Sequence, residues 1–543
     1  MITTARPGTR ARRPRWASLT ARARSSSGRP ATSSPHGTSG DCAGPCRAGR
    51  SLRVSGVAPA LSSTTRSRAS STTVRAGFEH TMNHNDRPVF SGQRMVVEID
   101  GQGDGPDGIA HVGDYVIFVA GVWIGERVEI ELTKATRKYG RGRIVDLVRR
   151  SPHRVRPPCP VFERCGGCTW QFVDEVARGQ RLRERVAAPL SYALGQPADR
   201  LPIRAAAMPP TPRHQRTKVA LMLEAAPPPL YVRYGLYERG SQRVVPVETC
   251  LVADPSAEAA ACAIAETIRA ERLPIFDPRG SLDGYRAVVA RAAPGTGERH
   301  VVVVASSAEV PGRAALVKRA ESLGLTGLSL DVNDHPSALL NGQQSEVWMG
   351  MSRQRQVIGG VTYLSSPGGF FQTSAWGASH LVEVVRESVP RIEQGVLLDL
   401  YCGAGLLTLA LADRAPTVVG LEGNPAAIAD AEASAKVNQL DHVVFEIGAV
   451  ERVLPAWAAR GRLQNVKAVV LDPPRGGCLP DVLPVLIGAP SIRTVVYVSC
   501  DPVAFARDAR VLVDGGFGLV DVRPFDMFPM TSHVEVVGVF QRA

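Results

Sequence analysis

From about residue 395 the chain repeats one pattern: a short apolar run, an amphipathic stretch, then another apolar run. The runs VLLDLY, TVVGLE, VVFEI, AVVLD, TVVYVS, GLVDVRPF and VEVVGVF predict strands. AGLLTLALADR and NPAAIADAEASAKVNQL, between the first three runs, predict helices. Strands with so little polar alternation are covered on both faces. The pattern therefore predicts a Rossmann-like, seven-stranded α/β domain built on a parallel sheet with helical crossovers. The last two runs follow each other closely, as an antiparallel edge would.

Upstream the period changes. Between 88 and 150, short runs such as RMVVEIDG, YVIFVAG, ERVEIELTKA and GRIVDLV are separated by glycine clusters, which predicts a small OB-like β-barrel. After a proline-rich junction, SPHRVRPPCP, strand-like runs (KVALMLE, LYVRYGLY, AVVARAA, HVVVVASS, LTGLSLDV) alternate with helical patterns near 255–272 and 312–323. This is the signature of a mixed α+β domain. The N-terminal stretch shows neither period and cannot bury enough apolar surface to offset chain entropy. The multidomain organisation expected is a disordered basic Arg/Ser-rich tail over 1–86, a barrel over 87–150, a central domain over 151–375 and the α/β domain over 376–543. No run of 18 or more apolar residues occurs, so no membrane span is expected.

The formal charge of +13 over 543 residues, taken whole, points to a nucleic-acid partner. Its distribution changes that picture. Residues 1–78 hold 14 Arg, no Lys and one acid, Asp41, while the other 465 residues hold 50 basic and 50 acidic side chains. The tail reads as an organellar transit segment, an RNA-touching arm, or an overextended reading frame with Met82 or Met95 as the true start. Any affinity for RNA in the rest must come from local patches. Lys134, Arg137, Lys138, Arg141 and Arg143, with Tyr139 among them, suit a single strand on the barrel. Arg216, Lys218 and the stretch from Tyr234 to Arg239 are candidates in the central domain.

Candidate chemistry gathers at the strand ends. The first strand of the α/β domain runs into Asp399-Leu-Tyr401-Cys-Gly403-Ala-Gly405, where glycines let the backbone approach a ligand. Glu422, 19 residues after Gly403, can accept hydrogen bonds from a ribose diol. A dinucleotide reading would want a third glycine near 408, where Thr408 stands. S-adenosylmethionine, a nucleoside without phosphates, does not need it. The fourth strand ends Leu471-Asp472-Pro473-Pro474-Arg475, stiff and aimed at the same edge. The fifth ends Ser499-Cys500-Asp501-Pro502, placing a thiol beside the cofactor edge at the start of a helix, which is expected to lower its pKa. A thiolate can add to C6 of uracil and make C5 nucleophilic, and the C5 proton must then leave to a general base. FPMTSHVE supplies Glu535 for that task.

Ten cysteines in a long chain without a secretion signal suggest metal or catalysis. Cys159, Cys165, Cys168 and Cys250 suit tetrahedral zinc or an iron–sulfur cluster. Zinc sites favour two CxxC pairs, and only Cys165 and Cys168 are so spaced, so a cluster fits better. The CxxxCxxC spacing of radical chemistry is absent. Cys402 reads as packing, and Cys42, Cys46, Cys262 and Cys478 have no evident partner.

DLYCGAG, LDPPRGG, VSCDP and FPMTSHVE, in this order, resemble the RNA uracil-5-methyltransferase family, over about residues 88–543. The four cysteines resemble its 4Fe–4S site, and the barrel resembles its TRAM domain. The resemblance implies a class I, S-adenosyl-L-methionine-dependent enzyme that makes 5-methyluridine, with Cys500 as nucleophile and Glu535 as base. It also implies cofactor contacts from Gln372, Tyr401, Glu422 and Asp472, beside Gly403 and Gly405 of the turn. Two positions depart from the family: Asp501 stands where Asn is common, and Leu406 where a polar cofactor contact is common. Barrel and cluster together imply 23S rRNA as substrate. A tRNA T-loop enzyme and a non-catalytic iron–sulfur RNA-binding module are the alternatives. The chain is expected to act as a cytoplasmic monomer (organellar if the tail is a transit peptide), with RNA as partner and neither a membrane nor an obligate protein partner.

Overall fold

The computed structural model describes residues 89–103, 105–277, 283–335 and 344–542. The basic tail, with Cys42, Cys46 and Met82, lies outside the described residues. Among the described residues no helix is long and apolar enough to cross a membrane.

Residues 94–149 form a six-stranded sheet. Its order is Arg94–Glu98, Arg127–Ala135, Tyr139–Arg149, Tyr115–Ala120, Asp107–Val112 and Gly101–Gln102. Alternation along Tyr115–Ala120 turns Ile117 and Val119 inward against Val128, Ile130 and Leu132, all buried. A second, seven-stranded sheet runs from Gln344–Gly350 at one edge, through the buried strands Glu298–Ala305 and Tyr285–Ala293, to Val244–Val245 at the other. The helix Pro255–Ala270 lays Ala257, Ala260, Ala261, Ile264, Ala265 and Ile268 on it, spacings that keep one face apolar.

The third sheet carries the strand ends singled out above. Its order is Val443–Ile447, Thr417–Glu422, Val396–Leu400, Val466–Leu471, Thr494–Ser499, Glu535–Gln541 and Gly518–Phe525. The first five are parallel. Glu535–Gln541 inserts antiparallel between its two neighbours, so the last strand lies inside the sheet and not at its edge. Val418, Leu397, Ala468, Val470 and Val496 are fully buried in the core.

Two elements differ from expectation. AGLLTLALADR is helical only over Leu406–Ala410, followed by a 3₁₀ turn at Ala412–Arg414. Arg386 takes the Ala410 carbonyl and both oxygens of Asp413, which satisfies the carbonyl end early. The long helix Glu175–Leu194, capped by Asp174 and ended by Gly195 at φ 64°, has a weak apolar stripe with six Arg and Glu in its first eleven residues, which hides it from the hydrophobic pattern. It packs on the helix Pro502–Asp514 and the strand Gly518–Phe525. Ile203 and Ala207 then pair with Val522 and Phe525. Residues 175–207, grouped by sequence with the central domain, therefore rest on the α/β sheet.

Candidate active site

All five parallel strands open onto one edge, where the cofactor end begins at Tyr401. Its φ of 63° is unusual for a side-chain-bearing residue. Gly403 (φ 53°) has no heavy atom within 4 Å of where a Cβ would stand, so this turn faces free space. Gly405 (φ 81°) does a different job: a Cβ would sit 3.1 Å from Ala431 and 3.3 Å from the Phe445 ring. Glu422 accepts the Gly403 N–H at 3.2 Å and the Asn424 N–H at 2.7 Å, which fixes its carboxylate beside the turn.

The sequence pattern by itself assigns Asp399 no role. It is fully buried, and Thr408, at the position where a third glycine would stand, donates its hydroxyl to Oδ2 at 2.5 Å. Oδ1 has no partner. Burial pushes the carboxyl up to about 7, with Asp472 and Glu422 adding repulsion. Asp472, at the end of the fourth strand, is pushed up to about 6 by burial. An orphaned buried carboxyl oxygen, two further carboxylates and an open glycine turn form a site suited to a cationic nucleoside. S-adenosylmethionine carries both a sulfonium and an ammonium, so the donor set fits it. A lone acid in the apolar run VLLDL was the signal available in sequence.

Gln372 lies in the segment between Phe371 and the helix Ala375–Ser388. That segment is tied at both ends. Ser366 donates through N–H and hydroxyl to Asp430, each at 2.7 Å, on the helix that follows Glu422. Arg291 donates to the Gly369 carbonyl at 2.5 Å, and the Thr217 N–H to the Thr373 carbonyl at 2.8 Å.

Cys500 and Glu535 meet by register. Ser499 opposes Val536 in the antiparallel ladder, so the next residues outward, Cys500 and Glu535, stand side by side. Glu535 is 6 % exposed. Burial holds its carboxyl well above the ordinary value, Asp472 adds to this and Arg475 opposes it. The Cys500 thiol is raised too, by burial first and then by the Glu535 charge, with Arg475 pulling it down. The expected lowering by the helix N-terminus is overturned by burial, and that terminus is capped by Asp501, whose carboxylate accepts the N–H groups of Val503 (2.9 Å) and Ala504 (3.0 Å). Arg475 is thus the cation that faces both groups, a role its place after the prolines did not reveal.

Behind it lies a buried polar cluster. Asp508 accepts from the Tyr497 hydroxyl at 2.5 Å, the Cys478 N–H at 2.8 Å and Arg507 Nε at 2.8 Å. Arg507 also donates to the Gly476 carbonyl at 2.9 Å. Burial and Asp508 push the Cys478 thiol up to about 12, and the Tyr401 hydroxyl is turned toward it. Cys478 therefore has partners that sequence reading did not supply.

Cys159, Cys165, Cys168 and Cys250 line one pocket with Val161, Phe162, Gly167 and Arg216. All are free thiols. Burial raises Cys165 and Cys250, and their neighbours in the set add repulsion. Among the described residues no three His, Cys, Asp or Glu side chains close on a single point as an ion's ligands would. Four thiols around one pocket are chemically suited to hold a thiolate-bound group. Cys402 is buried in the cofactor turn and Cys262 packs against the central core.

The basic candidates divide. Arg141 and Arg143 are exposed but paired, to Asp107 at 2.9 Å and Glu131 at 2.8 Å. Arg216 points inward and donates to the Gly167 carbonyl at 2.8 Å. Burial and Arg291 bring Lys218 down to about 8. Arg216 and Lys218 are both half-buried, with Arg216 turned toward the thiol pocket.

A doubly wound sheet with an inserted antiparallel strand and a carboxylate-lined glycine turn defines the methyltransferase class. Comparison with known proteins makes the class specific. Residues 356–543 match the tRNA (uracil-5-)-methyltransferase family and residues 88–145 the TRAM domain. An uncharacterized RNA methyltransferase of Gloeobacter violaceus is 33% identical over 462 residues, 84% of this chain and 98% of that protein. One from Halalkalibacterium halodurans is 31% identical over 467 residues, 85% and 99% of the two chains. The crystal structure of Pyrococcus abyssi tRNA (uracil-54, C5)-methyltransferase in complex with S-adenosyl-L-homocysteine is 25% identical, with TM-score 0.64, covering 82% of this chain and 100% of that one. The chain belongs to the RNA uracil-5-methyltransferase family and is an RNA methyltransferase.

Proposed function

We propose that this enzyme methylates C5 of a uridine in RNA through a covalent adduct at Cys500. The observation that carries the reading is the juxtaposition of a thiol and a buried, proton-accepting carboxylate across the ladder end, with Arg475 facing both. Cys500 loses its proton to solvent, its sulfur bonds to C6, and the electron pair of the C5–C6 π bond moves to C5. S-adenosylmethionine supplies the methyl group that C5 takes. Glu535 then removes the C5 proton, the C5–C6 double bond re-forms, and the Cys500 sulfur leaves. A carboxylate with a raised pKa is the stronger base for that step. Asp399, Glu422, Asp472, Tyr401, Gly403, Gly405 and Gln372 hold the cofactor. Cys159, Cys165, Cys168 and Cys250 hold an iron–sulfur cluster as a structural group.

The RNA we favour is ribosomal, on the pairing of barrel and four-thiol pocket; the Pyrococcus abyssi neighbour favours tRNA. Methyl transfer from labelled S-adenosylmethionine to unmodified 23S rRNA and tRNA transcripts decides between them. The same assay tests the mechanism. Cys500→Ala abolishes transfer, and Glu535→Gln accumulates a denaturant-stable protein–RNA adduct. Transfer by Cys500→Ala at the wild-type rate would falsify the covalent route. Anaerobic purification should give iron and visible absorbance; stoichiometric zinc without iron would overturn the cluster.

A further inference from the structure

The loop that delivers Glu535, residues 526–534, is held from outside by the short segment that follows Cys168. The backbone N–H groups of Thr169 and Trp170 both donate to the Met530 carbonyl, at 2.9 and 3.0 Å. Thr169 Oγ1 accepts the N–H of Ser532 at 3.1 Å. Met530 itself sits at φ 66°, a conformation that a side-chain-bearing residue keeps only when its surroundings impose it. One turn further along, Arg178 faces Asp526 at 3.9 Å, both almost fully buried, at the start of the same loop. Within the loop, Thr531 Oγ1 donates to the Phe528 carbonyl at 2.7 Å and accepts the His533 N–H at 3.2 Å, so a displacement at Ser532 is carried on toward Glu535.

We infer that Thr169 is a positioning residue for the base: its hydroxyl oxygen pins the loop at Ser532 and so sets where the Glu535 carboxylate stands relative to the adduct. This rests on the reading of Glu535 given above. Thr169 directly follows Cys168, whose carbonyl is bound by Arg239 at 3.0 Å. Whatever keeps the thiol pocket in place therefore also keeps the pin in place.

The inference separates two steps of one reaction. Thr169→Val keeps the shape of the side chain and removes the acceptor, leaving the Ser532 N–H without its partner. Adduct formation at Cys500 does not depend on that bond, whereas removal of the C5 proton does. In a single-turnover experiment with the transcript that the wild type methylates, Thr169→Val should form the adduct at the wild-type rate and resolve it about tenfold more slowly, the effect of one lost hydrogen bond of about 1.4 kcal/mol. Thr169→Ser should restore wild-type resolution. Thr169→Ala removes the same acceptor with less bulk and should behave as Thr169→Val. Amide exchange over 527–534 should quicken in the Val and Ala variants, with S-adenosylmethionine affinity unchanged. If Glu535→Gln traps the adduct while both Thr169 variants resolve it at the wild-type rate, the pin is wrong and the base assignment stands. If Glu535→Gln traps nothing, the base assignment fails and the pin falls with it.

Discussion

Asp399 offers the sharpest test of the site's electrostatics. It is a carboxyl group with no exposure, one hydrogen bond and one orphaned oxygen, pushed up from 3.8 to about 7. In the unfolded chain it ionises near 3.8. Raised in the folded state, it contributes fully to stability below pH 3.8, and that contribution is lost as pH rises through 7. A gap of about three pKa units corresponds to ~4 kcal/mol, at about 1.36 kcal/mol per unit. Asp399→Asn removes the titration while keeping the shape. Its amide still accepts from Thr408 and places an NH₂ where the orphaned oxygen was, a constant cost of about 1–3 kcal/mol at every pH. The signature is therefore the change in the difference, not its size at one pH. Urea unfolding of both proteins from pH 4 to 8 should show the variant gaining about 4 kcal/mol relative to wild type across that window. Asp526, at about 7, titrates in both proteins and cancels; Asp472, at about 6, repels Asp399, so part of the difference is their coupling and belongs to the pair. Parallel stability curves would show that Asp399 is ionised in the folded enzyme and that the reasoning is wrong.

Other consequences are equally concrete. Asp508→Asn should cost about 2–4 kcal/mol, because a buried acceptor of three hydrogen bonds loses its charge beside Arg507; thermal unfolding without a shift would contradict this. Gly477→Ala should also destabilise, since its φ is 77° and a Cβ would stand 2.4 Å from Arg507 Nη2 and 2.6 Å from Asp508 Oδ2. Adduct formation by the free enzyme should climb with pH beyond the ordinary thiol range, because burial and Glu535 both hold Cys500 up. Arg475→Gln should move that climb to still higher pH, and an unshifted profile would remove Arg475 from the site.

Much of the α/β domain was legible because its information is local. Near-continuous apolar runs mark strands covered on both faces, and Asp472, Cys500 and the glycine turn sit where such strands must end. The residues that complete the site were not legible, because their partners are remote in the chain. Arg475 reaches Cys500 and Glu535 only when the fourth, fifth and last strands are neighbours. Cys478 found Asp508 across 30 residues, and Thr169 found Ser532 across 363. The thiol's expected activation failed because burial, and then the charge of Glu535 on the neighbouring strand, raise its pKa, and neither can be read from the residues around Cys500.

The sequence alone therefore determined where the strands run and at which end of the sheet the candidate residues stand, since hydrophobic period and turn composition act over a few residues. Tertiary structure decided which charges face one another, which carboxyls burial raises, and what the loop before Glu535 is bonded to. Those properties depend on burial and on through-space distances of a few ångströms, and no spacing along the chain encodes them.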